Sequence, residues 1–270
     1  MSKLIPLFIS IPHSGEKVPD FCRWLLSLPE EILMCDVDRY VDLLYESTAK
    51  KLSIPLMKTE WHRYAADLNR TPDDIDAASV EGHQNRPGLH NRGFHWQMTT
   101  LRYQLMKEPM SLKMHQDLVK LVYEPFHQKI LSEYAAMRQR GFTKVYHLDC
   151  HSMPSIGTSE HRDPGQKRAD IVVSDCTQKS SEKRFVDLVQ EAYSKAGFQV
   201  AYNWPYLGGK VSEQYGRPHF GQHAVQVEMN RALYMDEKTK KILPVHQSVQ
   251  KQIEVALTHI QATMQSWSDL

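Results

Sequence analysis

Short apolar runs alternate with amphipathic stretches along this 270-residue chain, and that alternation restricts it to an α/β fold with a mostly parallel sheet. The run at 145–155, V-Y-H-L-D-C-H-S-M-P-S, is the centre of the pattern. In extended backbone, Asp149 and His151 point to the same side. Open α/β sheets bind ligands in the crevice beyond the C-terminal ends of their strands. Two further runs end in the same manner. Residues 4–12 stop at His13-Ser14-Gly15-Glu16, and residues 224–227 lead into Glu228-Met229-Asn230-Arg231. The expectation is that these three strand ends converge on one hydrolytic metal site.

The intervening chain fills in the alternation. A helix is expected over 29–50, where Ile32, Leu33, Val37, Val41, Leu44 and Tyr45 recur at spacings of three and four. A short strand follows at 53–57, then a mixed segment at 61–69. Residues 73–95 show little periodicity and no evident core, and they contain the turn signature P-G-L-H-N-R-G. An irregular connection of that length predicts a lid or binding loop. Residues 99–140 read as mostly helical, with Pro109 and Pro125 each starting or kinking a helix and Gly141 closing it. After the central strand come a loop at 158–167, a strand at 169–173, a helix at 181–196 capped by Gly197, and a strand at 198–202. A Gly-, Pro- and Tyr-rich loop at 203–220, a strand at 222–227 and a terminal helix beyond Pro244 complete the chain.

Composition excludes several classes. A formal net charge of +1 leaves no nucleic-acid footprint. No run of apolar residues is long enough for a membrane helix, and the start, Met1-Ser2-Lys3-Leu4, is too soon structured for a signal peptide. Cys22, Cys35, Cys150 and Cys176 lack C-x-x-C spacing, which predicts free thiols and a cytoplasmic location.

His13 and Glu16 form H-x-x-E, a compact way to bring imidazole and carboxylate to one ion, and His151 can supply a third ligand. Asp36 and Asp38 compete with Glu16 for the carboxylate position, although either aspartate is also explained as a helix N-terminus. Asp149 can hold the second ring nitrogen of a ligand histidine, or it forms a plain ion pair with His151. Glu228 shares a strand face with Gln226 and is the candidate general base; a salt bridge to Arg231 is the structural alternative. Arg70 reads as a carboxylate clamp. Tyr206, Gly208, Gly209 and Tyr215 belong to a loop able to close over substrate. A serine-hydrolase reading of Ser14 or Ser152 is weaker, because neither lies in G-x-S-x-G.

Taken in order, I-P-H-S-G (11–15), D-x-D (36–38), R-Y-A-A-D-L-N-R (63–70), D-C-H-S-M-P (149–154), A-D-I-V-V-S-D (169–175), N-x-P-Y-x-G-G (203–209) and the closing run at 221–237 resemble the N-formylglutamate amidohydrolase family over roughly residues 5–240. The resemblance implies a single three-layer domain over 1–270, zinc carboxypeptidase-like (phosphorylase/hydrolase-like), with a mixed sheet between helices. It implies hydrolysis of N-formyl-L-glutamate to formate and L-glutamate, a step of histidine degradation, with one Zn²⁺ ion. His13 and His151 become metal ligands, Glu16 stands slightly ahead of Asp36 as the third, and Glu228 becomes the catalytic carboxylate. Asn69 and Arg70 match a pair that receives a substrate carboxylate; Arg63 is expected to steady the oxyanion, and Tyr206 and Arg231 to contact substrate. The partner is a small N-acyl amino acid, with neither nucleic acid nor membrane involved. The alternatives are a relative with a different acyl-amino-acid or peptide substrate, and a metal- or ligand-binding protein that keeps the fold without turnover.

Overall fold

In the computed structural model, which describes residues 4–270, six strands form one sheet in the order β2-β1-β3-β6-β4-β5. They are β1 (Leu7–Ile11), β2 (Leu56–Lys58), β3 (Val145–Met153), β4 (Ile171–Ser174), β5 (Val200–Tyr202) and β6 (Gln222–Asn230). β1, β2, β3 and β6 run parallel, whereas β4 runs antiparallel to β6 and carries β5 parallel to itself. The sheet is therefore mixed and mostly parallel, as expected. The expectation about the chain's first residues concerns 1–3 in part, which lie outside the described residues.

Strand parity divides the molecule. Leu7, Ile9 and Ile11 of β1, Tyr146, Leu148 and Cys150 of β3, and Val225, Val227 and Met229 of β6 share one face and one core. Helices α3 (Val41–Leu52), α6 (Lys183–Lys195) and α8 (His246–Gln265) cover that face. In α3 the buried set Val41, Leu44, Tyr45, Thr48 and Ala49 has the 3–4 spacing of one helical stripe. Gly197, at φ +95, ends α6 in the left-handed conformation that favours glycine.

The opposite face is built differently. Phe8 and Val145 join a second core with α4 (Leu112–Leu118), α5 (Glu124–Gln139) and the irregular chain between β2 and α4. A π-helical turn, Val119–Tyr123, joins α4 to α5 without a break, and Pro125, which has no N–H to give the preceding turn, comes just after it.

Four expectations need correction. The helix at 29–50 is interrupted: α1 (Arg23–Leu26) and α2 (Glu30–Leu33) are single turns, and α3 starts only at Val41, after Tyr40 in the left-handed region at φ 69. The break drops residues 35–38 into the interior, held by an Asp38 N–H to His13 C=O bond of 3.0 Å. Residues 99–110 are irregular, not helical, because their backbone pairs with neighbouring loops, as in Leu105 N–H to Gln97 C=O at 2.8 Å. The stretch 73–95 does own core: Ile75, Val80 and Phe94 are buried in the second cluster. Within 203–220 a short helix, α7 (Lys210–Tyr215), forms where Val211, Ser212 and Tyr215 find burial.

Candidate metal centre

The site lies at the C-terminal ends of β1, β3 and β6, on the face opposite α3 and α8. Because β3 pairs with β6 in the register His151↔Glu228 and Asp149↔Gln226, these four side chains form two adjacent rows on the sheet. Ser10 of β1 stands directly across from Asp149. His13 follows β1 by two residues and is 2% exposed.

Three atoms meet at this point. His151 Nδ1 lies 3.2 Å from His13 Nδ1 and 3.1 Å from Asp38 Oδ2, and His13 Nδ1 lies 3.5 Å from the same oxygen. The far nitrogens are both committed: His13 Nε2–H donates to Asp67 Oδ1 at 2.8 Å and His151 Nε2–H to Asp149 Oδ2 at 2.8 Å. Each imidazole is thereby fixed with its Nδ1 lone pair toward the other and toward a carboxylate oxygen. Lone pairs so arranged repel unless a positive charge lies among them. A tetrahedral ion with ligand bonds of about 2.0 Å has ligand–ligand edges of about 3.3 Å, which is the size of this triangle. Two imidazoles and one carboxylate are also a zinc ligand set with a position left open. The donor set fits a divalent metal ion.

Charge agrees with geometry. Burial alone would lower the His151 imidazole, but Asp149 and Asp38 outweigh it and hold it well above its ordinary value. Burial would raise Asp38, yet hydrogen bonds with His13 and His151 keep it well below the usual carboxylate range. The field here favours a cation.

Asp38 is set by its own partners. Its Oδ1 accepts from Arg231 Nη2 at 3.0 Å and Ser152 Oγ at 3.2 Å, which leaves Oδ2 for the cluster. Arg231 also donates to the carbonyls of Cys35 and Asp36, at 3.0 and 3.3 Å, and so ties the broken-helix segment to the end of β6. The guanidinium is engaged in building the site and at the same time lines the cavity. It does not pair with Glu228.

The carboxylate favoured from H-x-x-E is placed elsewhere. Glu16 is bound in a fork by Arg39, at 2.6 and 3.2 Å, with its side chain 38% exposed. The chain turns outward at Gly15, where a Cβ would meet the backbone of Trp61 at 2.5 Å. Asp36 lines the cavity but is engaged by Tyr64 Oη at 2.7 Å and by the backbone and hydroxyl of Thr100. Asp38, the remaining aspartate of D-x-D, joins the two histidines.

Asp67 is a member that sequence reasoning missed. This buried carboxylate accepts from His13, Arg63, Trp96 Nε1 and the Asn69 N–H, each at 2.8–2.9 Å. Its signal was available: an acid flanked by Ala65, Ala66 and Leu68 has no solvent-facing reason to be there.

The metal triangle opens onto a cavity of about 330 Å³. Glu228 lines it at 5% exposure, and Gln226 Nε2–H donates to its Oε1 at 2.8 Å. Burial, with Asp38 nearby, raises the Glu228 carboxyl, against His151 and Arg231. Arg63 gives Nη1 to the Asp36 carbonyl and Nη2 to Asp67, lies 4.6 Å over the Trp96 ring, and keeps Nε without a partner. Arg70 bonds the carbonyls of Arg92 and Asn69, both at 2.9 Å, and pairs with no carboxylate among the described residues. Asn69 Oδ1 accepts from Val211 N–H at 2.7 Å, and its amide lies so close to Gly209 that a Cβ there would meet it at 2.0 Å. Tyr206 lines the cavity and takes a 3.0 Å hydrogen bond from Arg168, itself forked onto Asp163. Tyr215 points away, to His127 at 2.7 Å.

The family model for N-formylglutamate amidohydrolase matches residues 5–235. The chain belongs to the N-formylglutamate amidohydrolase family. A crystal structure of N-formylglutamate amidohydrolase from Ralstonia eutropha JMP134 superposes with a TM-score of 0.86 at 28% identity, covering 97% of this chain and 95% of that one. N-formylglutamate deformylases of Pseudomonas aeruginosa and Pseudomonas putida are 26% and 27% identical over 239 residues, 87% and 86% of this chain and 84% and 83% of theirs. A gene product of Agrobacterium tumefaciens shares the fold at a TM-score of 0.71 and 16% identity. Among the described residues no helix is long and apolar enough to cross a membrane.

Proposed function

We propose that the chain is a zinc-dependent amidohydrolase that cleaves N-formyl-L-glutamate to formate and L-glutamate, the reaction its family is named for and one that belongs to histidine degradation. The observation that carries this reading is the meeting of His13 Nδ1, His151 Nδ1 and Asp38 Oδ2 beside a buried glutamate. Those three residues would hold one ion, which when bound acidifies a water and polarises the amide carbonyl.

The chain's own groups do the rest. Glu228 takes a proton at Oε2, its Oε1 being anchored by Gln226, and returns it to the departing amine. Its raised carboxyl suits both transfers. Arg63, which lines the cavity, would steady the carbonyl oxygen as negative charge develops there. Arg70, lacking an acidic partner of its own, grips a substrate carboxylate with help from Asn69. Tyr206 forms the wall beyond them. The chain acts as one domain, and its four unpaired cysteines suit a reducing, cytoplasmic setting.

The test is Glu228→Gln, with formate release and bound zinc measured together. Turnover should fall by about 10²–10⁴-fold with zinc content unchanged. Near wild-type turnover would remove Glu228 as the base. A wild-type protein that binds zinc yet releases no formate from any N-formyl, N-acetyl or N-succinyl amino acid would leave a ligand-binding role.

A further inference from the structure

Behind Asp149 a row of buried polar groups crosses the sheet, and the metal reading makes no use of it. Ser10 Oγ–H donates to Asp149 Oδ1 at 2.5 Å, and His147 Nε2 lies 2.7 Å from the same hydroxyl. Tyr134 Oη lies 3.4 Å from His147 Nδ1. All four side chains are buried, and no arginine or lysine pairs with Asp149 among the described residues.

The direction of each bond follows from the donors present. An ionised Asp149 only accepts, so the single Ser10 hydroxyl proton must point at it. Ser10 can then only accept from His147, which places that proton on Nε2 and leaves Nδ1 to accept from Tyr134. On the far side Asp149 Oδ2 takes the Nε2–H of His151. One orientation satisfies every member, and it ends with the His151 Nδ1 lone pair facing His13 and Asp38. Strand register enforces it, since Phe8↔His147 and Ser10↔Asp149 are cross-strand pairs and the Phe8 ring stacks on His147 at 4.3 Å.

We infer that Ser10 and His147 are positioning residues for the metal ligand His151: through Asp149 they fix which imidazole nitrogen is protonated and where the other points. The inference rests on the metal site proposed above. Outer partners of ligand histidines commonly change metal affinity about 10–100-fold.

The experiment titrates metal-free protein with zinc against a chromophoric chelator. Ser10→Ala should weaken zinc binding about tenfold or more, while Ser10→Thr, which keeps the hydroxyl, should restore it. His147→Phe keeps a ring against Phe8 but loses the donor, and should weaken zinc binding severalfold. In zinc-loaded protein the His151 Nε2–H proton, followed by nitrogen-15 NMR, should exchange with water faster in Ser10→Ala than in wild type. If Ser10→Ala does not fold, His147→Phe carries both readouts. Lower thermal stability with unchanged zinc affinity and unchanged exchange would overturn the inference and leave a structural role only. An effect of Ser10→Ala alone would remove His147 from the chain. Failure of the wild type to bind zinc would instead refute the metal site itself.

Discussion

The two faces of β3 are made from alternate residues of one strand, yet they are covered by different kinds of structure. Tyr146, Leu148 and Cys150 meet α3, α6 and α8, whose apolar stripes need only be of about the right width. His147 and Asp149 meet Ser10 of β1, and His151 meets His13 and Asp38 of the segment 35–38, through named hydrogen bonds and close polar contacts. A regular helix can bury an apolar row because dispersion and the hydrophobic effect have no direction. Burying a polar row demands a donor or acceptor at a definite place, and here Ser10 of β1 supplies it for Asp149 and irregular backbone supplies it for His151.

The contrast can be broken from either side. The largest effect is expected for Asp38→Asn, which should lower zinc affinity by about 100-fold or more and turnover with it, measured by chelator competition and formate release. Acid should come next. His62 and His127 are held at about 4 and His95 at about 3, chiefly by burial, against an ordinary value of 6.5. Their folded values are depressed, so the unfolded chain binds more protons between pH 6.5 and 4, and stability is lost as pH falls through that window. At pH 5 each imidazole is worth of the order of 2 kcal/mol, and urea unfolding at pH 7 and pH 5 measures their sum together with the likewise depressed His147, His161 and His223, each at about 4. His62 and His95 belong to the irregular cover and His127 to α5 on the same face, so hydrogen exchange at pH 5 should open that side before α3 and α8.

On the opposite face, Leu257→Ala in α8 removes a fully buried side chain and should cost about 2–5 kcal/mol in unfolding free energy. Its kcat/KM, measured where the variant remains folded, should be unchanged. The smallest effect is assigned to Glu16→Gln: zinc affinity and turnover should match wild type, because Glu16 pairs with Arg39. A large loss there would return the H-x-x-E reading.

Much of the strand framework was legible because period-two apolar runs and Gly or Pro stops are local signals. His13, His151 and Glu228 were legible as neighbours because each ends such a run. The third carboxylate was not. The H-x-x-E spacing put Glu16 slightly ahead of Asp36, and a helical reading of 29–50 hid the break at 34–40 that buries Asp38. Asp67 was overlooked because its partners, His13 and Trp96, lie 54 and 29 residues away. Arg231, read as a substrate contact, lines the cavity and also holds Asp38, Ser152 and two carbonyls, a second role that spacing does not show.

Sequence alone determined the sheet-and-helix alternation, the strand ends that carry polar groups, and the family, since periodicity and motif order are properties of the chain itself. Only the tertiary structure decided which aspartate joins the histidines, which arginine remains without an acid, and which way each imidazole faces. Those outcomes depend on competition among several donors and acceptors for each buried oxygen, and that competition is settled in space, between segments far apart along the chain.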